Sequence, residues 1–106
     1  MLPKSHRITK ELFSGVMKNG TTFSSPLFVF RYIPQKSPQY AFVAPKTVAK
    51  QAILRNKLRR QGYNALSQNP KIPSVLGIFF YKKQAKIAPF EEIKKGINEV
   101  FSKINL

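Results

Sequence analysis

The chain has 106 residues, enough for one domain with a modest core, and its hydrophobic fraction of 42% belongs to a globular protein and not to a disordered tail. Nineteen Lys and Arg against four acids leave a formal net charge of +15, a field that costs stability through self-repulsion and selects a polyanionic ligand, nucleic acid ahead of an anionic membrane. No apolar run approaches a bilayer span, no cysteine is present to build a disulfide or a cysteine-ligated zinc site, and no secretory signal is visible, so an intracellular, cytoplasmic protein without membrane partners is expected.

Residues 1–8 read as a basic, mobile lead-in to a single domain spanning 1–106. Thr9 is placed to cap a short helix over 10–18, which Asn19-Gly20 ends. Leu12, Phe13, Val16 and Met17 form its apolar stripe, with Phe13 at the rim. Strands follow at 21–25 and 27–33, separated at Pro26. In the second, alternation puts Leu27, Val29, Arg31 and Ile33 on one face and Phe28, Phe30 and Tyr32 on the other. Three aromatics on one strand face usually make core, and the sharper alternative is a stacking platform for unpaired bases. Residues 34–38 form a turn, 39–44 a third strand, and Pro45 closes it.

The stretch Lys46 to Leu66 is the one the rest of the chain is expected to present. It carries Lys46, Lys50, Arg55, Lys57, Arg59 and Arg60 and no acid. Wound as a helix, it places Leu54, Leu58 and Ala65 on a buried stripe. Ala49, Ala52, Asn56, Arg59, Arg60 and Tyr63 lie near the opposite side. A solvated helix mixes signs to gain i,i+4 pairs, and this one cannot, so its charges point to an external polyanion more than to an unpartnered basic face. Gly62 costs about 1 kcal/mol relative to alanine in a helix interior, so the helix is expected to continue or kink there and to stop by Asn69-Pro70. Ser74 to Tyr81 is a nearly continuous apolar run, read as a strand buried on both faces. Pro89 suits the start of a final helix, with Glu91 and Glu92 in its first turn and Phe90, Ile93, Ile97, Val100, Phe101 and Ile104 at helical spacing.

All four acids are glutamates, and none occurs from Leu12 through Phe90. The lone histidine, His6, has no evident partner. A two-metal nuclease needs several converging carboxylates, and no phosphate-binding loop, nucleophile elbow or zinc-protease motif appears. The polypeptide is therefore expected to bind and not to cut, with no catalytic and no metal-ligating residue of its own.

Ala52-Ile53-Leu54-Arg55-Asn56-Lys57-Leu58-Arg59-Arg60 resembles the RNR signature of the bacterial ribonuclease P protein subunit. The likeness extends over nearly the whole chain: HRITKELFSGVMKNGTTFSSPLFVF is similar to the family's opening, PKTVAK to its lead-in, SVLGIFFYKK to its late strand and PFEEIKKGINEVFSK to its closing helix. The resemblance implies an α+β sandwich of two layers, of a type shared with one domain of a small-subunit ribosomal protein. The implied order is α-β-β-β-α-β-α, with a left-handed βαβ crossover through the basic helix. It also implies a holoenzyme in which one such protein joins one catalytic RNA and removes the 5′ leader of precursor tRNA. The RNA performs the hydrolysis, and Mg2+ is held by RNA and substrate.

Carried over by position, Lys46, Lys50, Arg55, Asn56, Lys57, Arg59 and Arg60 become the RNA-facing set, and Phe13 and Phe28 become aromatics of a leader-binding cleft between the first helix and the sheet. The chain departs from the family pattern at Gln61-Gly62-Tyr63, where two aliphatics and an arginine are usual, so Tyr63 joins the RNA-binding set as a stacking residue. Met17 and Arg31 stand at cleft positions often held by aromatics, which implies leader recognition more by charge. Lys57 replaces an arginine, keeping charge without bidentate geometry. A ribosomal-type structural RNA-binding protein is the main alternative. A sequence-specific DNA binder comes third, lacking an evident dimer interface, and a free-standing nuclease last.

Overall fold

The computed structural model describes residues 10–69 and 72–104. The expected lead-in, His6 and the Thr9 cap lie outside the described residues, as do residues 70 and 71. The elements are α1 (Lys10–Asn19), β1 (Thr21–Ser24), β2 (Phe28–Pro34), β3 (Gln39–Val43), α2 (Ala52–Ser67), β4 (Val75–Tyr81) and α3 (Phe90–Lys103). A short 3-10 helix, Lys83–Ile87, joins β4 to α3. The fold is α+β in the expected order α-β-β-β-α-β-α.

The four strands form one sheet in the order β1-β2-β4-β3. β1 and β2 are an antiparallel hairpin, β2 pairs antiparallel with β4, and β3 runs parallel to β4 across the α2 crossover. Ser25 holds the hairpin turn: its N–H donates to the Phe28 carbonyl at 2.8 Å, and the Phe28 N–H donates to its Oγ at 3.2 Å. The central position of β4 accounts for its unbroken apolar sequence. A strand with neighbours on both edges and helices on both faces has no side that must meet water, and only Phe80 in it is more than marginally exposed.

Alternation divides the sheet's side chains between two clusters. On one face Phe28, Phe30, Tyr40, Phe42, Val75, Phe79 and Tyr81 meet Leu58, Ala65 and Leu66 of α2 and Ile93, Ile97 and Val100 of α3. On the other face Leu76 and Ile78 meet Val16 of α1, with Leu12, Phe13, Ile33, Ala41, Val43 and Phe80 partly buried around them. The sheet with α2 and α3 is the expected sandwich, and α1 lies alone across the opposite face.

Helix α2 passes through Gly62 without interruption. An alanine Cβ there would run into the Phe42 ring and stand 2.6 Å from the Tyr81 hydroxyl. The missing side chain is what lets the helix lie down on β3 and β4. The Tyr81 hydroxyl uses this closeness to donate to the Leu58 carbonyl at 2.5 Å, and the Tyr40 hydroxyl donates to the Pro73 carbonyl at 2.5 Å. Burial pushes both phenols well above the ordinary tyrosine range, so both remain donors.

Candidate nucleic-acid interface

The basic segment is two structures, not one helix. Residues 46–48 form a turn in which the Val48 and Ala49 N–H groups donate to the Pro45 carbonyl at 3.0 and 3.1 Å. Val48 and Ala49 are buried. Ala49 therefore anchors a loop and is not one of the exposed alanines of a helix face. The helix begins at Ala52, after Gln51 in extended conformation with no side-chain cap. Lys46 and Lys50 stand on the loop, exposed.

Arg55 ties the two parts together. Its Nη1 donates to the Ala49 carbonyl at 3.0 Å and the Lys50 carbonyl at 2.7 Å, which turns the first exposed arginine expected for RNA into the clasp of the lysine-bearing loop. Asn56, Lys57 and Arg60 point to solvent, whereas Arg59 is half-buried and donates through Nη2 to the Asn56 side-chain oxygen. Tyr63, expected among the exposed residues, is half-buried. Its ring meets Phe42 edge-on with centroids 5.0 Å apart, and its hydroxyl accepts the Phe42 N–H at 3.4 Å. That bond covers an outward-facing amide of the sheet's edge strand. The buried stripe is Leu58, Gly62, Ala65 and Leu66, with Leu54 only half-covered. It is rotated toward Gly62 because the glycine, not a large apolar residue, sets the line of closest approach.

A second surface lies beside α1. The strand register places Ser24, Val29, Phe80 and Val43 in one row across all four strands on the α1 face. At about 4.8 Å between strands the row spans roughly 14 Å. Ser24 is exposed and the other three half-buried, so α1 does not close over them. Phe13 leans over the row, its ring edge-on to Phe80 with centroids 6.4 Å apart at 69°. Met17 is 41% exposed on the same helix. Lys82 borders the row and donates to Ser24 Oγ at 2.6 Å.

Two of the expected cleft residues do something else. Phe28 is fully buried on the opposite face, its ring 5.2 Å from Phe79 and 5.0 Å from Tyr81, and it lies under Gly96 of α3. It is core and does not line the groove beside α1. Residues 28 and 31 are an odd number apart on one strand, so they cannot share a face. Arg31 is on the α1 face, but its guanidinium is already engaged. Nη2 donates to the Met17 carbonyl at 2.8 Å and the Gly20 carbonyl at 3.3 Å, and Nη1 donates to Thr22 Oγ1 at 2.9 Å. Its buried Nε has no partner. Arg31 caps the carbonyl end of α1, where a cation is favoured by the helix dipole. The expectation that it reads the leader by free charge is thereby corrected.

Phe80, which the sequence reading left in the buried strand, is the aromatic that shares the groove with Phe13. Alternation from Ile78 could have located it: 76, 78 and 80 share a face, and 80 falls past the end of what a short helix covers. Among the described residues no group of three or more His, Cys, Asp and Glu side chains comes together. Glu91, Glu92 and Glu99 are exposed on α3, across the sheet from the groove. No described helix is long and apolar enough to cross a membrane.

A family model described as Ribonuclease P matches residues 2–105. A ribonuclease P protein component from a Nitratiruptor species is 34% identical over 97 residues, covering 91% of this chain and 88% of that relative. Among solved structures, a ribonuclease P protein from Staphylococcus aureus superposes with a TM-score of 0.81 at 20% identity, over 93% of this chain and 94% of that one. One from Thermotoga maritima superposes with a TM-score of 0.78 at 16% identity, over 89% and 92% of the two chains. At those identities the structures speak for the fold.

Proposed function

This chain belongs to the ribonuclease P protein family, and from that premise we propose that it docks on the catalytic RNA through α2 and the Lys46–Lys50 loop while the groove beside α1 holds the 5′ leader of precursor tRNA. The observation that carries this reading is the joining of the two surfaces by β3. Val43 ends the groove's row, and Lys46, three residues later, opens the basic surface, with no carboxylate anywhere from Leu12 through Phe90. An RNA that lies along α2 can hand a single strand to the groove without crossing an acidic patch.

In this reading the polypeptide contributes phosphate neutralisation and strand placement. Lys46, Lys50, Lys57 and Arg60 present exposed charges. Arg55 fixes the loop that carries two of them, and the Asn56–Arg59 pair stiffens the helix face between. Neutralising Z phosphates makes binding fall with salt at a log–log slope of about 0.9 per contact on duplexes and about 0.7 on single strands. Magnesium-dependent hydrolysis belongs to the RNA, which holds the ion together with the substrate. One protein serves each catalytic RNA.

The test is cleavage of precursor tRNA by the cognate ribonuclease P RNA at low magnesium, with and without the protein. The expected result is restored cleavage at the mature 5′ end. Intact RNA binding without any effect on cleavage would favour a ribosomal-type structural role instead.

A further inference from the structure

We infer that the cavity between the loop at 47–51 and the 3-10 helix Lys83–Ile87 is a nucleotide site. It takes the phosphate of one nucleotide on Lys50 and Lys86, and the sugar and base on Leu54 and Val48. The RNA-docking reading above enters only as one of two sources for that nucleotide, and Thr47, Gln51 and Lys86 have no part in that reading.

Three observations carry the inference. The first is shape. The cavity has a volume of about 400 Å³ and is lined by Thr47, Val48, Lys50, Gln51, Leu54 and Lys86, a size within the range of small-molecule sites. Both walls are fixed by hydrogen bonds. The loop hangs from the Pro45 carbonyl, and the Arg55 guanidinium holds it by the Ala49 and Lys50 carbonyls. The 3-10 helix is anchored by the fully buried Ala85, whose N–H donates to the Lys82 carbonyl at 3.0 Å and whose carbonyl accepts the Ala88 N–H at 3.3 Å. A site held in this way has little freedom left to lose when a ligand enters. The second is charge. Lys50 and Lys86 come from different segments to one cavity, and none of the six lining side chains is acidic. Two ammonium groups brought together repel, and a phosphate removes that cost. The Thr47 hydroxyl and the Gln51 amide supply neutral donors beside them, and the uncapped start of α2 adds a weaker positive field. The third is the apolar part of the wall. Phosphate alone has no use for Val48 and Leu54, nor for Ile53 and Ile87, the chain neighbours of the lining Leu54 and Lys86, which are 82% and 88% exposed. A ligand that carries apolar surface as well as charge uses all of them, and a nucleotide carries both.

The probes are adenosine 5′-monophosphate and inorganic phosphate, titrated into the full-length protein at fixed ionic strength and followed by the backbone amide resonances of the loop and the 3-10 helix. The nucleotide should bind several-fold more tightly than phosphate. Lys86→Gln should weaken it roughly ten-fold, and Lys83→Gln, which removes an exposed charge from the same 3-10 helix outside the cavity, should leave it unchanged. Equal affinity for nucleotide and phosphate would overturn the proposal. So would equal losses in the two variants, which would reduce the binding to the general positive field. Repeating the titration with the protein bound to catalytic RNA distinguishes the sources. If a nucleotide of that RNA fills the cavity, the free nucleotide is excluded and Lys86→Gln lowers the log–log salt slope of RNA binding by about 0.7. If the ligand is a free nucleotide, it still binds and the slope is unchanged. A wild-type protein that does not bind the catalytic RNA would remove the docking reading and leave the result of the first titration standing.

Discussion

On the face under α2 and α3, Phe28, Phe30, Phe42 and Phe79 are at most 3% exposed, whereas on the face under α1 the row Ser24, Val29, Phe80 and Val43 stays open to solvent in part. The difference lies in the cover. α2 and α3 have 16 and 14 residues and each buries a full stripe, with Gly62 and Gly96 drawing them down onto the rings. α1 has 10 residues, one fully buried apolar side chain in Val16, and Arg31 holding its carbonyl end. A single helix, about 10 Å across, leaves open the part of a four-stranded face that lies to its side. Aromatic content therefore says little about where a protein stacks bases. On the face richer in rings Phe28, Phe30, Phe42 and Phe79 are covered, with Phe23 and Tyr32 half-buried at its margin, while the poorer face keeps Phe80 half-exposed near its middle.

Mutations on the two faces should separate stability from recognition. Phe28→Ala should cost about 4 kcal/mol of folding stability, the range for emptying a buried aromatic site, measured by urea unfolding. Any remaining folded protein should discriminate precursor from leaderless tRNA as the wild type does. A leader-specific defect at full stability would erase the contrast between the faces. Gly62→Ala comes next. In an ordinary helix interior this change gains about 1 kcal/mol, but with Phe42 and Tyr81 already at the Cβ position it should cost about 2 kcal/mol through overpacking. A stabilised variant in the same urea titration would show that α2 can lift off the sheet freely.

Arg31→Met should cost about 1 kcal/mol of stability by stripping the end of α1 of its donors. Its sharper effect should be a several-fold loss of leader-dependent affinity with unchanged affinity for the catalytic RNA, since α1 sets the groove and α2 does not depend on it. Parallel losses for both ligands would make Arg31 a general scaffold residue. The smallest effect belongs to the basic surface: Arg59→Ala should flatten the log–log salt dependence of RNA binding by less than about 1 unit, with no change in leader discrimination. An unchanged slope would take the half-buried side of α2 out of the interface.

The strand and helix order was readable along the chain because each element carries its own period. The i,i+4 pairs of α1, the alternation in β2 and the unbroken run of β4 are local signals. The α2 start was not. Lys46 to Gln51 has no helix breaker after Pro45, and what keeps it out of the helix is a turn onto the Pro45 carbonyl together with the Arg55 clasp. Gly62 was legible as an anomaly but not as a solution, because its neighbours Phe42 and Tyr81 lie 20 and 19 residues away in the chain. Transferring Phe28 to the cleft failed on a rule visible in the sequence itself, the period of two that separates it from Arg31.

The sequence alone determined the strong net positive charge and its acid-free stretch from Leu12 through Phe90, the family through the RNR block, and which side chains of each strand travel together, since charge and periodicity are properties of the chain read residue by residue. Tertiary structure decided which of the two strand faces is closed, that Arg31 and Arg55 hold backbone carbonyls while Tyr63 seals an edge strand, and that Phe80 meets Phe13 in a groove. These outcomes depend on how far a helix reaches over a sheet and on which distant carbonyl a guanidinium meets first, and neither is encoded within any one element.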